Sequence, residues 1–336
     1  MDVRKNNLAR AIFACDAHAM PAFEARGKKR FKGFEPLALS TKPIYDEYAG
    51  RLMEPLSSPL YFQSLYAWNF TSVNKYKILY NHLCIVAHDT IHDDTFAFPP
   101  IGDCRPETFS KAVGAVCEEF AHEGLDCVFK ETPDFMLPYF SSLPRCEADI
   151  SHDADWSDYV FTREAFAAGI GKNSSREAIR SFERKRRPVV RVLSSSDTGN
   201  VAAITEMNYC VERDCAECFC GCEAEVARRL VGAYDELELN GIVIESDDDP
   251  LAFGITCFQK HTIHFISKKA RRSVRGLNEF LNAELMGRFG RWCESVNYSD
   301  DMGNAGLRFY KSRLGAYVLS HRNTIRLRFR EGGEVL

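Results

Sequence analysis

Three short runs rich in β-branched and aromatic residues follow one another in GIVIESDDDPLAFGITCFQKHTIHFI, which covers residues 241–266. The runs lie at residues 241–244, 251–255 and 262–266. Such runs with turns between them predict three successive antiparallel strands. Apolar residues at helical spacing precede the runs over residues 223–239 and follow them over residues 277–289, so we predict a helix on each side.

Further elements extend this pattern in both directions along the chain. We predict helices at residues 174–184 and 305–314 and strands at residues 189–193, 295–297 and 317–319. This order of helices and strands is that of the N-acetyltransferase-like (GNAT-like, acyl-CoA N-acyltransferase) fold. The fold class is therefore α/β (α+β), with a mixed, mostly antiparallel sheet flanked by helices.

The first half of the chain shows a similar mixture. Strand-like runs at residues 77–80 and 83–87 are joined by Asn81-His82, which predicts a hairpin, and another strand-like run at residues 96–98 is followed by two prolines. Residues 107–123 have helical spacing, and Gly124 is a typical helix end.

The length of 336 residues fits two domains of about 150 residues each. A stretch with three prolines, at residues 131–155, is the best candidate for the boundary between them. We therefore predict tandem domains: an N-terminal extension at residues 1–33, a first GNAT-like domain at residues 34–150, and a second at residues 151–330 that holds the active cleft.

Charge and hydropathy exclude several classes of protein. The net charge is only -4 and acids and bases are mixed, which argues against a dedicated duplex nucleic-acid binder but not against a local basic groove. No run reaches the roughly 18 apolar residues of a membrane span, and the N-terminus has no signal-peptide pattern, so we expect a cytoplasmic protein. The 13 cysteines are expected to be mostly reduced.

Several strings match a known family in order and spacing. They are SSPLYFQSLYAW (residues 57–68), FAFPPIG (96–102), SDYVF (157–161), RGL (275–277), Asn297 with DDMG (300–303), GLR (306–308) and Lys311. Together, over about residues 35–325, the chain resembles the family named for the C-terminal domain of phosphatidylglycerol lysyltransferase, especially its soluble bacterial members. The resemblance implies two acyltransferase-like domains, as in the aminoacyl-tRNA-dependent transferases that build peptidoglycan bridges or aminoacylate lipids.

The chain departs from the family pattern at charged positions. Tyr298-Ser299 stands where the family usually has Arg then Glu, and Ser267 stands where it typically has Glu. The basic run near the start of the second domain keeps Lys172 and Arg176 but is thinner. If the missing charges serve the chemistry of the group, this member has a changed substrate or no activity.

A basic loop at residues 268–276 is the first candidate site. It carries five cations in nine residues and leads into a predicted helix, whose N-terminus favours anions. In the acyltransferase fold this loop faces a phosphate or pyrophosphate, which makes Arg271, Arg272, Arg275 and Gly276 the candidate donor-binding residues. A solvated basic loop is the alternative.

Two further candidates are catalytic. The resemblance implies that Lys311 neutralises a phosphate and the charge that develops in acyl transfer, whereas a surface lysine paired with an acid is the alternative. Asp301, with its neighbour Asp300, follows a strand end where a carboxylate can act as general base. A turn-forming or helix-capping aspartate is at least as good an explanation.

The candidate substrate contacts come from both halves. The resemblance implies Asn297 and Arg308, and Tyr66 and Trp68 are candidates for stacking on a ligand, although aromatic residues at such spacing are more often core. We predict no metal site. The tract Cys210, Cys215, Cys218, Cys220 and Cys222 lacks a second CxxC pair, so incidental cysteines outweigh a metal or redox cluster.

The function that fits best is acyl transfer, with an aminoacyl group moving from charged tRNA to an amine or hydroxyl acceptor. The expected partners are tRNA and a small-molecule, peptide or lipid head-group acceptor, and no cofactor is required beyond the acyl donor. Two alternatives stay open: a CoA-dependent N-acetyltransferase that uses acetyl-CoA, and a catalytically degenerate binding or regulatory module.

Overall fold

A computed structural model describes residues 31–209, 223–247 and 249–329. Nearly all of the predicted N-terminal extension, and the tract from Cys210 to Cys222, lie outside the described residues. The described chain divides into two compact units. The first unit comprises residues 31–158, 300–304 and 319–329, and the second comprises the described residues from 159 to 299 and residues 305–318.

The first unit is built from these helices and strands in chain order: β1 (Glu35–Pro36), α1 (Lys42–Gly50), α2 (Phe62–Ala67), β2 (Ser72–Leu79), β3 (His82–Asp89), β4 (Asp94–Ala97), β5 (Ile101–Gly102), α3 (Pro106–His122), β6 (Val128–Pro133), α4 (Leu137–Ser141) and β7 (Cys146–His152). The predicted hairpin at Asn81-His82 and the predicted helix after Pro106 are confirmed. The stretch chosen as a domain boundary, residues 131–155, contains α4 and β7.

The second unit is built from these elements in chain order: β8 (Asp158–Thr162), α5 (Arg163–Ile170), α6 (Asn173–Arg186), β9 (Val189–Val192), α7 (Thr198–Tyr209), α8 (Glu223–Gly232), β10 (Asn240–Ser246), β11 (Asp249–Gln259), β12 (Thr262–Ala270), α9 (Leu277–Phe289), β13 (Ser295–Asn297), α10 (Ala305–Ser312) and β14 (Tyr317–Ser320). The three strands predicted in residues 241–266 are confirmed, as are the helix at 277–289 and the strand at 295–297. The helix predicted at 223–239 is shorter and ends at Gly232.

The sheet of the first unit receives its last strand from the C-terminal end of the described chain. Strand β15 (Arg322–Phe329) lies between β6 and β7 in the order β1-β2-β3-β4-β6-β15-β7, with β5 on β3. Ile325, at 0 % exposure, is paired to both neighbours in this sheet. The first unit is therefore made from more than one stretch of sequence, whereas the prediction from the sequence drew a single boundary at residue 150.

The sheet of the second unit has the order β14-β8-β13-β12-β11-β10-β9. Strands β9 to β12 pair antiparallel, whereas β12 and β13 pair parallel, as expected for two strands joined by a helical crossover. That crossover helix, α9, packs on β11 at Gly254, where a Cβ atom would lie 2.5 Å from a methyl carbon of Leu285. Glycine at this position therefore fixes how closely α9 approaches the sheet.

No helix in the described ranges is long and apolar enough to cross a membrane. The apolar core of each unit is dense in aromatic side chains. Phe109, Phe129 and Phe140 pack together in the first unit, with ring centroids 5.1–5.2 Å apart. In the second unit Phe166, Phe265 and Tyr298 form a similar group, and this group borders the candidate site described next.

Candidate active site

The sheet of the second unit opens between β12 and β13. Their parallel pairing covers three residue pairs and ends at His264 and Asn297. Strand β13 stops there, while β12 continues to Ala270 paired only with β11 on its other side. Within the described chain, no other strand therefore pairs with the edge of β12 beyond His264.

Ser299 closes the inner end of this opening. Its hydroxyl donates to the carbonyl oxygen of Phe265 at 3.2 Å, so it accepts the hydrogen bond from Nε2 of His264 at 3.0 Å. Its backbone N–H donates to Oδ1 of Asn297 at 2.8 Å, and its φ of 56° turns the chain away from the sheet. Asn297, predicted to contact substrate, is buried and organises this turn.

A β-bulge in β12 changes which side chains face the opening. Phe265 is paired to Thr256 and Ser267 to Ile255, so Ile266 is the additional residue. Because alternation is interrupted there, Phe265 and Lys268 project from the same face. Both contact Tyr298: the ring of Phe265 lies 4.9 Å from the ring of Tyr298, and Nζ of Lys268 lies 5.1 Å from its centre.

The amine of Lys268 is held in a hydrogen-bonded cluster. Its Nζ atom donates to Oδ1 of Asn278 at 2.6 Å, to Oδ1 of Asn282 at 2.9 Å and to the hydroxyl of Tyr298 at 2.5 Å. Tyr298 donates in turn to Oδ1 of Asn282 at 3.0 Å, and Nδ2 of Asn282 donates to the hydroxyl of Tyr310 at 2.8 Å. We call these five residues the Lys268 cluster.

Local structure explains how the cluster assembles. Asn278 and Asn282 are four residues apart on α9 and so lie on one face of that helix, which the packing of Leu285 on Gly254 holds against the sheet. Tyr298 follows the last residue of β13, and Tyr310 lies on α10. The cluster therefore joins β12, α9, α10 and the end of β13 within one unit.

The environment shifts the pKa values of the cluster in opposite directions. Burial of the amine, reinforced by the positive charge of Lys311, lowers the pKa of Lys268 to about 7, although the carboxylate of Glu279 acts against this change. Burial raises the pKa of Tyr310 to about 12 and that of Tyr298 well above 10. Both phenols are therefore neutral at neutral pH, while burial and the charge of Lys311 disfavour the ammonium form of Lys268, whose three hydrogen bonds favour it.

Lys311 is buried, with only 5 % of its surface exposed. Its Nζ atom donates to the carbonyl oxygens of Tyr298 at 2.6 Å and Ser299 at 3.2 Å. It also lies 5.4 Å from the ring centre of Tyr159 and 5.2 Å from that of Tyr298, which are favourable cation–π distances. Lys311 therefore holds the turn after β13 in place and supplies a fixed positive charge beside the Lys268 cluster.

The arginines of the basic loop at residues 268–276 differ in their surroundings. Arg271 makes two hydrogen bonds, of 2.6 and 2.5 Å, to the carboxylate of Asp249, whereas Arg272 and Arg275 are exposed. Gly276 has a φ of 85°, and a Cβ atom there would lie 2.3 Å from the carbonyl oxygen of Ala178. Glycine at this position is thus required by the packing of the loop on α6, and a role in phosphate binding stays a prediction.

Asp300 and Asp301 belong to the first unit, unlike Lys311. Asp301 is buried, its Oδ1 accepts from the N–H of Gly303 at 3.0 Å, and its carbonyl oxygen accepts from the N–H of Asn304. This is the geometry of a turn-forming aspartate, the alternative weighed above. Asp300 pairs with Arg322 at 2.5 Å.

The other predicted substrate contacts are also divided between the units. Tyr66 and Trp68 lie in the first unit, where Tyr66 stacks on Phe62 and Trp68 stacks on Phe70. Arg308 is an exposed residue of α10 in the second unit, three positions before Lys311. The structure therefore brings Asn297 and Lys311 together at the opening, while the assigned roles of all these residues stay predictions.

Sequence analysis missed four members of the Lys268 cluster, Asn278, Asn282, Tyr298 and Tyr310, and treated Lys268 only as one of several loop cations. One signal was available: two asparagines four residues apart in a helix that otherwise buries leucine and phenylalanine. Tyr298 stands where the family usually has a charged residue, and the structure gives it a defined place in the cluster. No group of three or more potential metal ligands occurs among the described residues.

A known protein family matches most of the chain. The family described as "Phosphatidylglycerol lysyltransferase, C-terminal" matches residues 50–325. The chain belongs to this family. The match covers nearly all of both units, so the suspected resemblance is confirmed. No curated protein sequence matches the chain significantly.

Solved structures similar to this family member agree with its fold. A conserved protein of unknown function from Bacteroides thetaiotaomicron is 16% identical and covers 88% of this chain and 99% of its own, with a TM-score of 0.78. L-PGS from Bacillus licheniformis is 9% identical over 87% of this chain and 93% of its own, with a TM-score of 0.57. FemX is 9% identical over 85% of this chain and 95% of its own, with a TM-score of 0.59. The predicted fold class, mixed sheets flanked by helices in the GNAT-like manner, is confirmed.

Proposed function

We propose that the protein is an acyltransferase that moves an aminoacyl group from charged tRNA to an amine or hydroxyl acceptor. The reaction takes place where β12 and β13 separate in the second unit. The observation that carries this proposal is the Lys268 cluster beside Lys311: two lysine ammonium positions and two neutral phenols lie around one opening in the sheet. Membership in a family named for lysyl transfer supports the same reaction class.

The chemistry of such a reaction matches what the site offers. Attack on an ester carbonyl places negative charge on the carbonyl oxygen, and hydrogen-bond donors fixed in advance stabilise that charge. The hydroxyl groups of Tyr298 and Tyr310 stay protonated at neutral pH, and Lys311 contributes a positive charge that two backbone carbonyls hold in place. Positioning and charge stabilisation of this kind are sufficient for transfer between an activated ester and an amine.

The remaining predicted residues take more peripheral roles in this proposal. Arg272 and Arg275 are exposed on the loop that precedes α9 and are the candidates for contact with a donor phosphate. Arg271 donates two hydrogen bonds to the carboxylate of Asp249, so its role in this proposal is to hold the loop in place. A tRNA donor and a small-molecule, peptide or lipid head-group acceptor are the partners that this proposal requires.

Ligand-dependent stabilisation is the first test. Thermal unfolding is measured with charged tRNA, uncharged tRNA, acetyl-CoA and CoA, because a ligand at about 100 times its dissociation constant adds roughly 2.7 kcal/mol to the free energy of unfolding. The proposal expects a shift with charged tRNA, and loss of a labelled aminoacyl group from that tRNA when an amine acceptor is present. A shift with acetyl-CoA alone would instead assign a CoA-dependent N-acetyltransferase, and no shift with any donor would favour a binding module.

A further inference from the structure

Helix α6 of the second unit is strongly basic along one side. Residues 172–187, which contain this helix, hold seven cations and two carboxylates, a net charge of +5, in a chain whose net charge is -4. Arg176, Arg180 and Arg184 follow one another at intervals of four residues, and all three are exposed. Because residues four apart lie on one face of a helix, these three arginines form a row, which we call the arginine stripe.

The arginine stripe lies on the solvent side of α6. The helix packs on its own unit through Ala178, whose backbone contacts Gly276, and through the buried Phe182, whose ring centroid lies 5.2 Å from that of Phe280. At about 3.6 residues per turn, Ala178 and Phe182 lie on the side of the helix opposite to the stripe. The packing of α6 therefore leaves the stripe facing outwards.

The side chains of the arginine stripe have no acidic partner. No hydrogen bond, ion pair or ring contact within the described residues involves them, and the two carboxylates of the same helix, Glu177 and Glu183, form no ion pair either. Other arginines of this unit differ: Arg191 is paired with Asp197, and Arg271 with Asp249. A negatively charged ligand can therefore meet the stripe without displacing an ion pair of the described chain.

The helix dipole accounts for only part of this charge. Arg184, Lys185 and Arg186 lie in the last turn of α6, where the dipole favours cations. Lys172 and Arg176 lie at the opposite end, where the dipole favours anions, and the first turn contains no acidic residue. The positive charge therefore extends over the whole length of the helix, and the stability of the helix does not explain its N-terminal half.

The spacing and the chemistry of the stripe fit the backbone of a nucleic acid. Four residues of an α-helix advance by about 6 Å, which is comparable to the separation of successive phosphates along one strand. A guanidinium group can donate two parallel hydrogen bonds to a phosphate. A helix that lies on a membrane also needs large apolar side chains beside its cations, and the exposed residues of α6 include none. The surface thus favours a nucleic acid over an anionic bilayer.

Helix α6 also contacts the elements that build the candidate site. Phe182 packs on Phe280 of α9, the helix that carries Asn278 and Asn282. Nζ of Lys172 donates to the carbonyl oxygen of Arg313, which follows α10. An RNA bound along α6 is therefore held on the same unit as the Lys268 cluster.

We propose that the arginine stripe of α6 binds the phosphate backbone of the RNA donor. This proposal rests on the proposed function for the identity of the RNA, and it adds the surface that holds it. Contacts to phosphates carry no information about the base sequence or the attached aminoacyl group. Binding through the stripe should therefore depend strongly on salt and be equally tight for charged and uncharged tRNA.

The salt dependence of RNA binding tests the surface. Fluorescence anisotropy of labelled uncharged tRNA gives the association constant of the full chain at salt concentrations from about 50 to 200 mM. The stripe variant combines Arg176→Gln, Arg180→Gln and Arg184→Gln, because glutamine is a good helix former. The control variant removes the same number of positive charges from exposed positions of the first unit by Arg105→Gln, Arg326→Gln and Arg328→Gln.

The slope of the logarithm of the association constant against that of the salt concentration should become shallower by about 2 to 3 in the stripe variant. Its affinity at the lowest salt concentration should fall at least about 10-fold, whereas the control variant should keep the wild-type slope. Equal slopes in the two variants, or no binding of tRNA by the wild-type chain, would overturn the proposal. So would binding to vesicles of equal parts phosphatidylglycerol and phosphatidylcholine that the stripe variant loses while its affinity for tRNA is unchanged.

A transfer assay separates this proposal from the proposed function. The stripe variant should raise KM for charged tRNA by the factor seen in binding and leave kcat near the wild-type value, because the stripe holds the donor and does not contact the reacting ester. If the wild-type chain transfers and the stripe variant keeps the same KM, the binding surface is wrong while the proposed function stands. If the wild-type chain binds tRNA through the stripe but transfers nothing, the proposed function fails instead.

Discussion

Tyr298 lies between two lysine ammonium groups, because Nζ of Lys268 is 5.1 Å and Nζ of Lys311 is 5.2 Å from the centre of its ring. Lys268 reaches the hydroxyl of this tyrosine and Lys311 its carbonyl oxygen. The ring attracts both cations, whereas the cations repel each other. The charge state of one lysine therefore depends on the presence of the other.

Replacing Lys311 by methionine should raise the pKa of Lys268. The substitution removes a positive charge that now disfavours the protonated amine. The pKa of Lys268, measured by mass spectrometry as the midpoint of its acetylation by acetic anhydride against pH, is expected to rise. Loss of hydrogen bonds from a charged donor to two carbonyls should also cost about 1.5–3 kcal/mol in the free energy of unfolding, measured by urea denaturation.

The matched control for Lys311 is Lys111→Met. Lys111 is an exposed residue of α3 whose partner, Glu107, lies four positions earlier. This variant should leave the urea denaturation midpoint and the pKa of Lys268 unchanged, because an ion pair in contact with solvent contributes little to stability. An unchanged Lys268 midpoint in Lys311→Met would show that the two amines do not interact.

Tyr298→Phe separates the hydroxyl from the ring. The ring contacts to Phe166 and Phe265 remain, while Lys268 and Asn282 each lose one hydrogen bond. We expect a stability loss of about 1–2 kcal/mol by urea denaturation. Tyr298→Arg, which restores the usual family residue, should be more destabilising than Tyr298→Phe because it places a third cation between two lysines. Equal stability of the two variants would contradict this account.

Gly276→Ala should destabilise the second unit. The φ of 85° is unfavourable for alanine, and the added Cβ atom would overlap the carbonyl oxygen of Ala178 at 2.3 Å. A loss of about 1–3 kcal/mol is expected from the denaturation midpoint. Gly287→Ala on the same helix α9 is the control: its Cβ atom meets nothing within 4 Å, so the variant should gain about 0.5–1 kcal/mol. If both variants behave alike, the close approach of α6 to the loop is not as described.

Local sequence patterns were sufficient to predict much of the second unit. The helix at 277–289 and the strand at 295–297 were predicted with the bounds that the structure shows, and apolar residues at helical spacing are what define the helix. The resemblance added the family, and the family fixes the acyltransferase fold. Each of these inferences depends on residues close together in the chain.

The Lys268 cluster could not be predicted in the same way. Its geometry depends on a β-bulge at Ile266, which no residue type in the sequence indicates. It also depends on a contact between Asn282 of α9 and Lys268 of β12, which are on different elements. The place of β15 is also non-local: it pairs with β6 and β7, whose paired residues lie 171 to 198 positions earlier in the chain. The last strand predicted from the sequence was at residues 317–319, so β15 was not predicted, and a local pattern does not show which sheet receives a strand.

Arg322 is a buried arginine of the first unit that lies among several carboxylates. Its guanidinium contacts Asp300 at 2.5 Å and Glu131 at 3.3 Å, and the buried carboxylate of Asp158 acts on the same charges. Burial raises the pKa of Glu131, against the effect of Arg322. Because the folded pKa lies above the unfolded value of 4.5, the contribution of Glu131 to stability is present below pH 4.5 and is lost as pH rises through the folded pKa.

Arg322→Met should therefore destabilise the protein by about 3–5 kcal/mol at pH 8, since three carboxylates lose their cation, and by less at pH 5, where Glu131 can take up a proton. Urea denaturation at both pH values measures the difference. Arg328→Met is the control on the same strand, because Arg328 is exposed and its pair with Asp149 lies at the surface, so a change within about 0.5 kcal/mol is expected at either pH. If Arg322→Met loses the same free energy of unfolding at pH 5 and pH 8, Glu131 does not respond to the loss of Arg322. The stabilising effect of Arg322 would then come from its ion pair with Asp300 alone.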